Sequence, residues 1–401
     1  MSEGYRRAIS SLVIARVIYA LNWFNIGAIY YLMEGDLHAD ISGLGVIAGS
    51  FYLGVGLMQV PAGVLAARIG PRRVFLIGIA LSSAAIFCTS VASDILQVSV
   101  FRFIVGWGMA FTFAPGLVLI ARFLGRGKSG LGVGLFNSAF YAGGLIGFFG
   151  WTILASVVTW RPSVALGGGL EMTTGVLILF FIPRDTGNGG FRVQTSILWQ
   201  TLKERQLILL GLGTLGLSTG NTLVSSFMTY YLVESYHTSL TLAGLIASLL
   251  VVVPVFSSLW GGGLYDRVRM PKRLMMFSVL TMVMALMVCS ITSLFAAVVS
   301  TLLAGIAAGI GFTVTFAAAK DINSAGSEYD SLAVAWINGI AFLGSFWPPL
   351  IFSYLATNSG YSMAWLGGAA LGLVWLIPLI LLTERRVDGS KGQYPIPPVV
   401  P

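Results

Sequence analysis

Twelve stretches of this chain stay apolar for roughly 18 to 28 residues each, long enough to cross about 30 Å of hydrocarbon as helices. They are read at 8–33, 41–66, 74–93, 95–121, 130–158, 163–182, 207–233, 239–265, 274–292, 294–319, 331–357 and 362–383. Hydrocarbon holds no water to satisfy backbone N–H and C=O groups, so continuous apolar spans close their hydrogen bonds within helices. The expected fold is therefore all-α and polytopic. Composition agrees: 56% of the 401 residues are hydrophobic and 9% charged, against about 25% charged in soluble domains. Met1 to Arg7 leads directly into the first span. That span is too long for the core of a cleavable signal and reads as a retained anchor.

The cations sort by side. Of 23 Lys and Arg residues, twenty fall in the segments that share a side with both termini, and Arg161 alone lies in the opposite loops. The other two, Arg16 and Arg102, lie inside spans. This asymmetry predicts that both termini are cytoplasmic in the plasma membrane. It also accounts for the net charge of +8 without nucleic acid; the expected surroundings are membrane lipid. Cys88 and Cys289 lie within apolar runs, and the two histidines, His38 and His237, lie in short outer loops. Neither a disulfide framework nor a metal or cofactor site is expected from such a set.

The halves are copies. Tyr30-Tyr31-Leu32-Met33-Glu34 returns as Tyr230-Tyr231-Leu232-Val233-Glu234, Asn137 as Asn338, and Trp160 stands where Tyr361 stands. Six spans per copy is an even number, so both copies run the same way through the membrane, as parallel repeats do. The expected organisation is a six-helix bundle over 1–182, a cytoplasmic linker over 183–206, a second bundle over 207–385 and a Pro-rich disordered tail over 386–401. Ile197 to Leu202 reads as a short amphipathic helix within the linker.

A short basic loop also repeats. Gly63 to Arg73 contains Leu65, Arg68, Gly70, Arg72 and Arg73; the matching loop contains Leu264, Asp266, Arg267, Lys272 and Arg273. The pattern resembles the loop signature Gly-x-Leu-Ala-Asp-Arg-x-Gly-Arg-Arg of the major facilitator superfamily, with Ala67 in place of the Asp in the first copy. The run Arg102-Phe103-Ile104-Val105-Gly106-Trp107-Gly108-Met109-Ala110 resembles that family's helix 4 motif, Arg-x-x-x-Gly-x-Gly-x-Ala. The resemblance covers Ala8 to Arg386. It implies twelve helices in two parallel pseudo-repeats, working by alternating access about a central path. It further implies that the loop Asp helps hold the inner gate closed. On that basis Asp266 is expected to face Lys320, whereas the first copy offers Ala67, which has no carboxylate, toward Arg122.

Charges deep in spans are expensive and usually face a cavity or a partner. Three lie there: Arg16, Arg102 and Glu171. Arg16, Tyr19 and Asn22 or Trp23 share a helical face, and snorkelling of Arg16 to the inner surface is the bland alternative. Asn137 and Tyr141 recur as Asn338 and Phe342, and Asn221 and Ser225 mirror Asn22 and Asn25. Together with Arg16, Tyr19, Asn22 and Arg102, the positions Asn137, Tyr141, Asn221, Asn338 and Phe342 are the candidate substrate path. Glu171 is the candidate proton carrier, with a purely structural carboxylate the alternative.

No Ser-His-Asp, Cys-His or metal constellation lies within the spans, so an enzyme is not expected. Within the family, drug–proton antiporters carry Gly-Pro in helix 5, sugar porters carry Pro-Glu-Ser-Pro-Arg after helix 6, and nitrate porters use an arginine in helices 2 and 8. This chain shows none of the three. The reading is a monomeric secondary transporter, a symporter of protons with an organic anion or other polar metabolite. An exporter of hydrophobic compounds and a non-transporting receptor or scaffold are the alternatives.

Overall fold

The computed structural model describes residues 3–124, 129–184, 195–323 and 330–383. The expected Pro-rich tail over 386–401 lies outside them. In chain order the helices are α1 (Glu3–Trp23), α2 (Asn25–Leu37), α3 (Ile41–Ile69), α4 (Pro71–Ser90), α5 (Ile95–Leu124), α6 (Ser129–Val158), α7 (Trp160–Phe181), α8 (Thr195–Lys203), α9 (Arg205–Tyr236), α10 (Leu240–Val268), α11 (Pro271–Cys289), α12 (Leu294–Ile322), α13 (Asp330–Gly344), α14 (Trp347–Val374) and α15 (Leu376–Leu381). Among the described residues there is no strand.

Spans and helices do not correspond one to one. α1 and α2 form a single span, kinked at Phe24 (φ −98°, ψ 0°) where the Asn25 side chain accepts from the Ile26 N–H at 2.7 Å. Asn competes with helical bonding in this way, and the linear sequence did not reveal the kink. At the other end, Leu332–Leu381 is one apolar stretch of 50 residues, which at 1.5 Å per residue is about twice a bilayer crossing. Gly360 (φ 83°, ψ 169°) divides it within α14. The short linker helix, α8, is present where Ile197 to Leu202 suggested it.

The backbone repeats as the sequence does. Thr159 (φ 70°, ψ 176°) separates α6 from α7 in the manner of Gly360. His38 and His237 end α2 and α9 in the left-handed conformation. Asp40 and Ser239 cap α3 and α10 through the N–H groups of Gly43 and Leu242. Asp94 and Ser293 do the same for Gln97 and Ala296, at the starts of α5 and α12. Gly70, at φ 96°, lets α3 end and α4 begin within one residue, a conformation that favours glycine.

Within the first half, α3 and α5 cross at two glycines. A Cβ on Gly106 would lie 2.7 Å from the Val55 nitrogen, and one on Gly54 would strike the Phe103 carbonyl. Such crossings replace hydrophobic drive by close van der Waals contact. The halves meet along α3 with α13 and α14, α6 with α10, and α2 with α9. The described contacts between halves concentrate toward the end opposite the basic loops. There the Tyr230 hydroxyl donates to Glu34 at 2.7 Å, Ser42 meets Thr357 at 3.2 Å, and Gly27 lies against the Ser225 carbonyl.

At the basic end, Arg72 donates to the Leu179 carbonyl at 3.0 Å and Lys272 to the Ile380 carbonyl at 2.6 Å. Each basic loop thus grips the last turn of its half's sixth span, where cations suit unsatisfied carbonyls. Arg72→Ala and Lys272→Ala are each expected to cost about 1–2 kcal/mol, read as a lower thermal midpoint; Arg73→Ala, at an exposed position, should leave it unmoved.

One gate expectation is corrected here. Asp266 does not face Lys320. It is exposed and lies 3.8 Å from Arg269, while Asp321 accepts from the Tyr265 hydroxyl at 2.5 Å and from Arg269 at 3.5 Å. Tyr265 and Arg269 are one turn apart and look toward α12, whereas Asp266 is a third of a turn away from that face. Lys320 and Arg267 are exposed, as is Arg68 in the first copy, and Gly63 has open space around it. Asp321→Asn is therefore expected to loosen the basic end of α10 and α12 more than Asp266→Asn, measured as labelling of a cysteine placed in that seam.

Candidate functional site

Among the described residues, two cations and one carboxylate are buried away from the basic loops, each delivered by a different helix. α5 carries Arg102, 4% exposed, to the boundary between the halves. Its Nη1 donates to Asn25 Oδ1 at 3.3 Å, and its guanidinium carbon sits 4.3 Å from the centre of the Phe51 ring. A small chamber opens beside it, lined by Gly27, Tyr30 and Tyr52 from the first half and Ser225 and Ser226 from the second. The Tyr52 hydroxyl meets Ser225 Oγ at 3.1 Å across the boundary. Among the described residues no carboxylate comes within ion-pair distance of Arg102. A buried charge without a counter-ion is costly; the space beside it is water-sized, with the hydroxyls of Tyr30, Tyr52, Ser225 and Ser226 set among the apolar groups of Trp23, Phe24, Ile26, Ala48 and Phe51.

Arg16 lies deeper in the first half. It is 5% exposed, which excludes snorkelling. Its guanidinium carbon is 4.3 Å from the Tyr19 ring centre, 4.4 Å from Phe136, 4.7 Å from Phe140 and 5.1 Å from Phe113. Cation–π contact with four rings compensates part of its lost hydration. Nε and Nη1 nevertheless have no hydrogen-bond acceptor. Tyr141 stands within electrostatic reach of it.

Glu171 on α7 is 1% exposed and is the one buried carboxylate among the described residues. It accepts from Asn22 Nδ2 at 3.0 Å and from Ser82 Oγ at 3.2 Å. It shares a water-sized cavity with Arg16, Tyr19, Thr112 and Thr174. Asn22 also donates to the Gly167 carbonyl at 3.0 Å. It therefore faces the interior of the first half rather than the gap between halves, where its helical spacing had put it with the path residues.

An aromatic cluster spans the boundary. Trp23 packs on Phe51 (4.7 Å), on Phe140 (6.2 Å) and on Phe342 of the second half (5.5 Å), and Tyr52 stacks on Phe342 at 6.2 Å. Of the sequence candidates, Phe342 joins this cluster, and Tyr19 stacks on Trp23 at 5.6 Å. Asn137 and Asn221 are partly buried and Asn338 is buried, each about one turn from a cluster or chamber residue. Spacing arguments passed over Tyr30, Tyr52 and Ser226. They carry no charge, and only the break at Phe24 and the α2–α9 contact assemble them.

The family model described as Major Facilitator Superfamily matches residues 12–213 and 210–398. Curated relatives include a "Probable nitrate transporter NarT" of Staphylococcus carnosus (strain TM300), 22% identical over 91% of this chain and 92% of the relative. Another protein of that name, from Staphylococcus aureus (strain Newman), is 23% identical over 97% and 98%. Among solved structures, the nucleoside transporter NupG superposes with a TM-score of 0.72 at 14% identity, covering 95% of this chain and 99% of that one. A bacterial homologue of the human lysosomal transporter Spinster, in an inward-facing and occupied conformation, gives 0.75 at 14% identity, with 98% and 100% coverage.

Proposed function

The chain belongs to the major facilitator superfamily and is an integral membrane transporter, and from that premise we propose that its solute is a small anion moved together with protons. The observation that carries this reading is Arg102: a buried guanidinium at the boundary between halves, beside a hydroxyl-lined chamber and without a carboxylate among the described residues. A cation there attracts an anion from either side as the halves rock in alternating access. The relatives' names point the same way, since nitrate is a small anion. α3 and α10 carry their arginines only at their ends, so Arg102 supplies from α5 the charge that an arginine midway along helix 2 or 8 would otherwise bring. Glu171 is the proton site of this reading. The basic end, with both termini, lies in the cytoplasm and the protein in the plasma membrane, as the Lys and Arg asymmetry supports.

Thermal unfolding of the purified chain with nitrate, formate, lactate and neutral uridine tests the proposal. Binding raises apparent stability by mass action, about 2.7 kcal/mol at a hundred times Kd. At least one anion should raise the midpoint while uridine does not. A rise with uridine alone would overturn the anion reading. Counterflow in proteoliposomes then separates a transporter of that anion from a receptor for it.

A further inference from the structure

The Tyr52 hydroxyl is buried at the boundary between the halves, on the wall of the space beside Arg102. It lies 3.1 Å from Ser225 Oγ of the second half. The surroundings of Ser225 decide which of the two donates. Its Oγ also lies 3.1 Å from the Thr222 carbonyl of its own helix, and a carbonyl only accepts. The one serine proton is therefore spent on Thr222, and the Tyr52 proton makes the bond across the boundary. Resting on the anion reading above, we infer that two acceptors compete for this proton: Tyr52 gives it to Ser225 when the site is empty and to the anion when Arg102 holds one.

The space beside Arg102 is water-sized, so an anion of several atoms enters only where a wall contact gives. The Tyr52 ring is held, stacked on Phe342 at 6.2 Å and edge-on to Phe51 at 5.3 Å. Its hydroxyl stands within electrostatic reach of Arg102, so an anion on that guanidinium is a second acceptor for it. The exchange is favourable. A hydrogen bond to an ionised acceptor is roughly twice as strong as the neutral bond to Ser225 that it replaces. Ser225 keeps its own bond to Thr222, so no donor is orphaned when Tyr52 leaves.

Occupancy is thereby tied to the joint between halves. The Ser42–Thr357 and Tyr230–Glu34 bonds also join them, toward the end opposite the basic loops. Tyr52 lies about three turns deeper along α3 than Ser42, in the wall of the chamber itself. A solute on Arg102 reaches the Tyr52–Ser225 bond and not the one at Ser42. Binding removes one bond across the boundary. By reciprocity, the bond that holds Tyr52 on Ser225 weakens the anion by the same factor. Arg102 supplies the charge, and Tyr52 transmits its occupancy to the second half.

Isothermal titration of the purified full-length chain with nitrate, formate and lactate tests this through two variants of opposite sign. Ser225→Ala removes the competing acceptor and frees the Tyr52 proton, so Kd for the anion that binds should fall by about three-fold or more. Tyr52→Phe keeps the ring and removes the proton, so Kd should rise by about ten-fold or more. The double variant should match Tyr52→Phe, because the gain from Ser225→Ala exists only while Tyr52 has a proton to give. That comparison separates the exchange from a mere enlargement of the chamber. Unchanged or weaker binding in Ser225→Ala overturns the proposal and leaves the anion reading standing. A Ser225→Ala gain that persists beside Tyr52→Phe does the same. Binding of none of the three anions to the wild type sinks the anion reading and the exchange with it. If Tyr52→Phe fails to fold, the sign of the Ser225→Ala effect decides alone.

Discussion

Arg102→Ala is expected to lower anion uptake in proteoliposomes by about thirty-fold or more while leaving the thermal midpoint near that of the wild type. Truncating one member of a buried charge pair costs about 2–5 kcal/mol, and the anion would lose its only cation in the chamber beside Ser225 and Tyr52. Stability should respond differently. The side chain makes one hydrogen bond, to Asn25, and one ring contact, to Phe51. Removing it also removes a buried, uncompensated charge, which by itself is stabilising. Arg102→Lys should recover part of the uptake, because the charge returns without the planar fork. Wild-type uptake in Arg102→Ala would rule this chamber out as the anion site.

Gly106→Val is expected to prevent recovery of folded protein. The first carbon added there would meet only backbone, 2.7 Å from the Val55 nitrogen and 3.0 Å from the Gly54 carbonyl carbon. No rotamer change relieves that overlap, so α3 and α5 would have to separate along their length. Overpacking costs about 1–3 kcal/mol where side chains can yield and more where they cannot; here about 3 kcal/mol or more is expected. Gly63→Ala and Gly263→Ala, whose added carbons meet nothing within 4 Å, are the controls. Monodispersity in size-exclusion chromatography and the thermal midpoint are the measurements. A monodisperse Gly106→Val with a normal midpoint would show that the crossing is looser than described.

Much of this architecture was legible in the sequence, because hydrocarbon forces long apolar runs into helices and basic residues to one side. The spans ending near Ile69, Ser90 and Val268 needed only hydropathy and turn residues. Repeated short motifs told the same story as the repeated caps at Asp40 and Ser239. Burial of Arg16, Arg102 and Glu171 was legible too, since each charge stood out in an apolar run. Their surroundings were not. That Asn22 serves Glu171, and that Asp266 lies beside Arg269 rather than Lys320, depends on helix rotation to within a third of a turn. One sequence does not fix rotation that finely. The Tyr52–Ser225 contact joins residues 173 positions apart, and no local pattern announces it.

The backbone contact between Gly27 and Ser225 has a mechanical consequence. If the halves turn about it, it is a fulcrum set far from the basic end. With some 30 Å of helix between Gly27 and Arg6, a swing on the order of 10° sweeps an arc of about 5 Å at the basic end. The Arg102 chamber, which Gly27 itself lines, would then sit on the axle and keep its shape through the stroke. On the proposed anion reading, recognition and passage would then divide along the lever: the short arm would hold the anion in fixed geometry, and the long arm would set how wide the door opens.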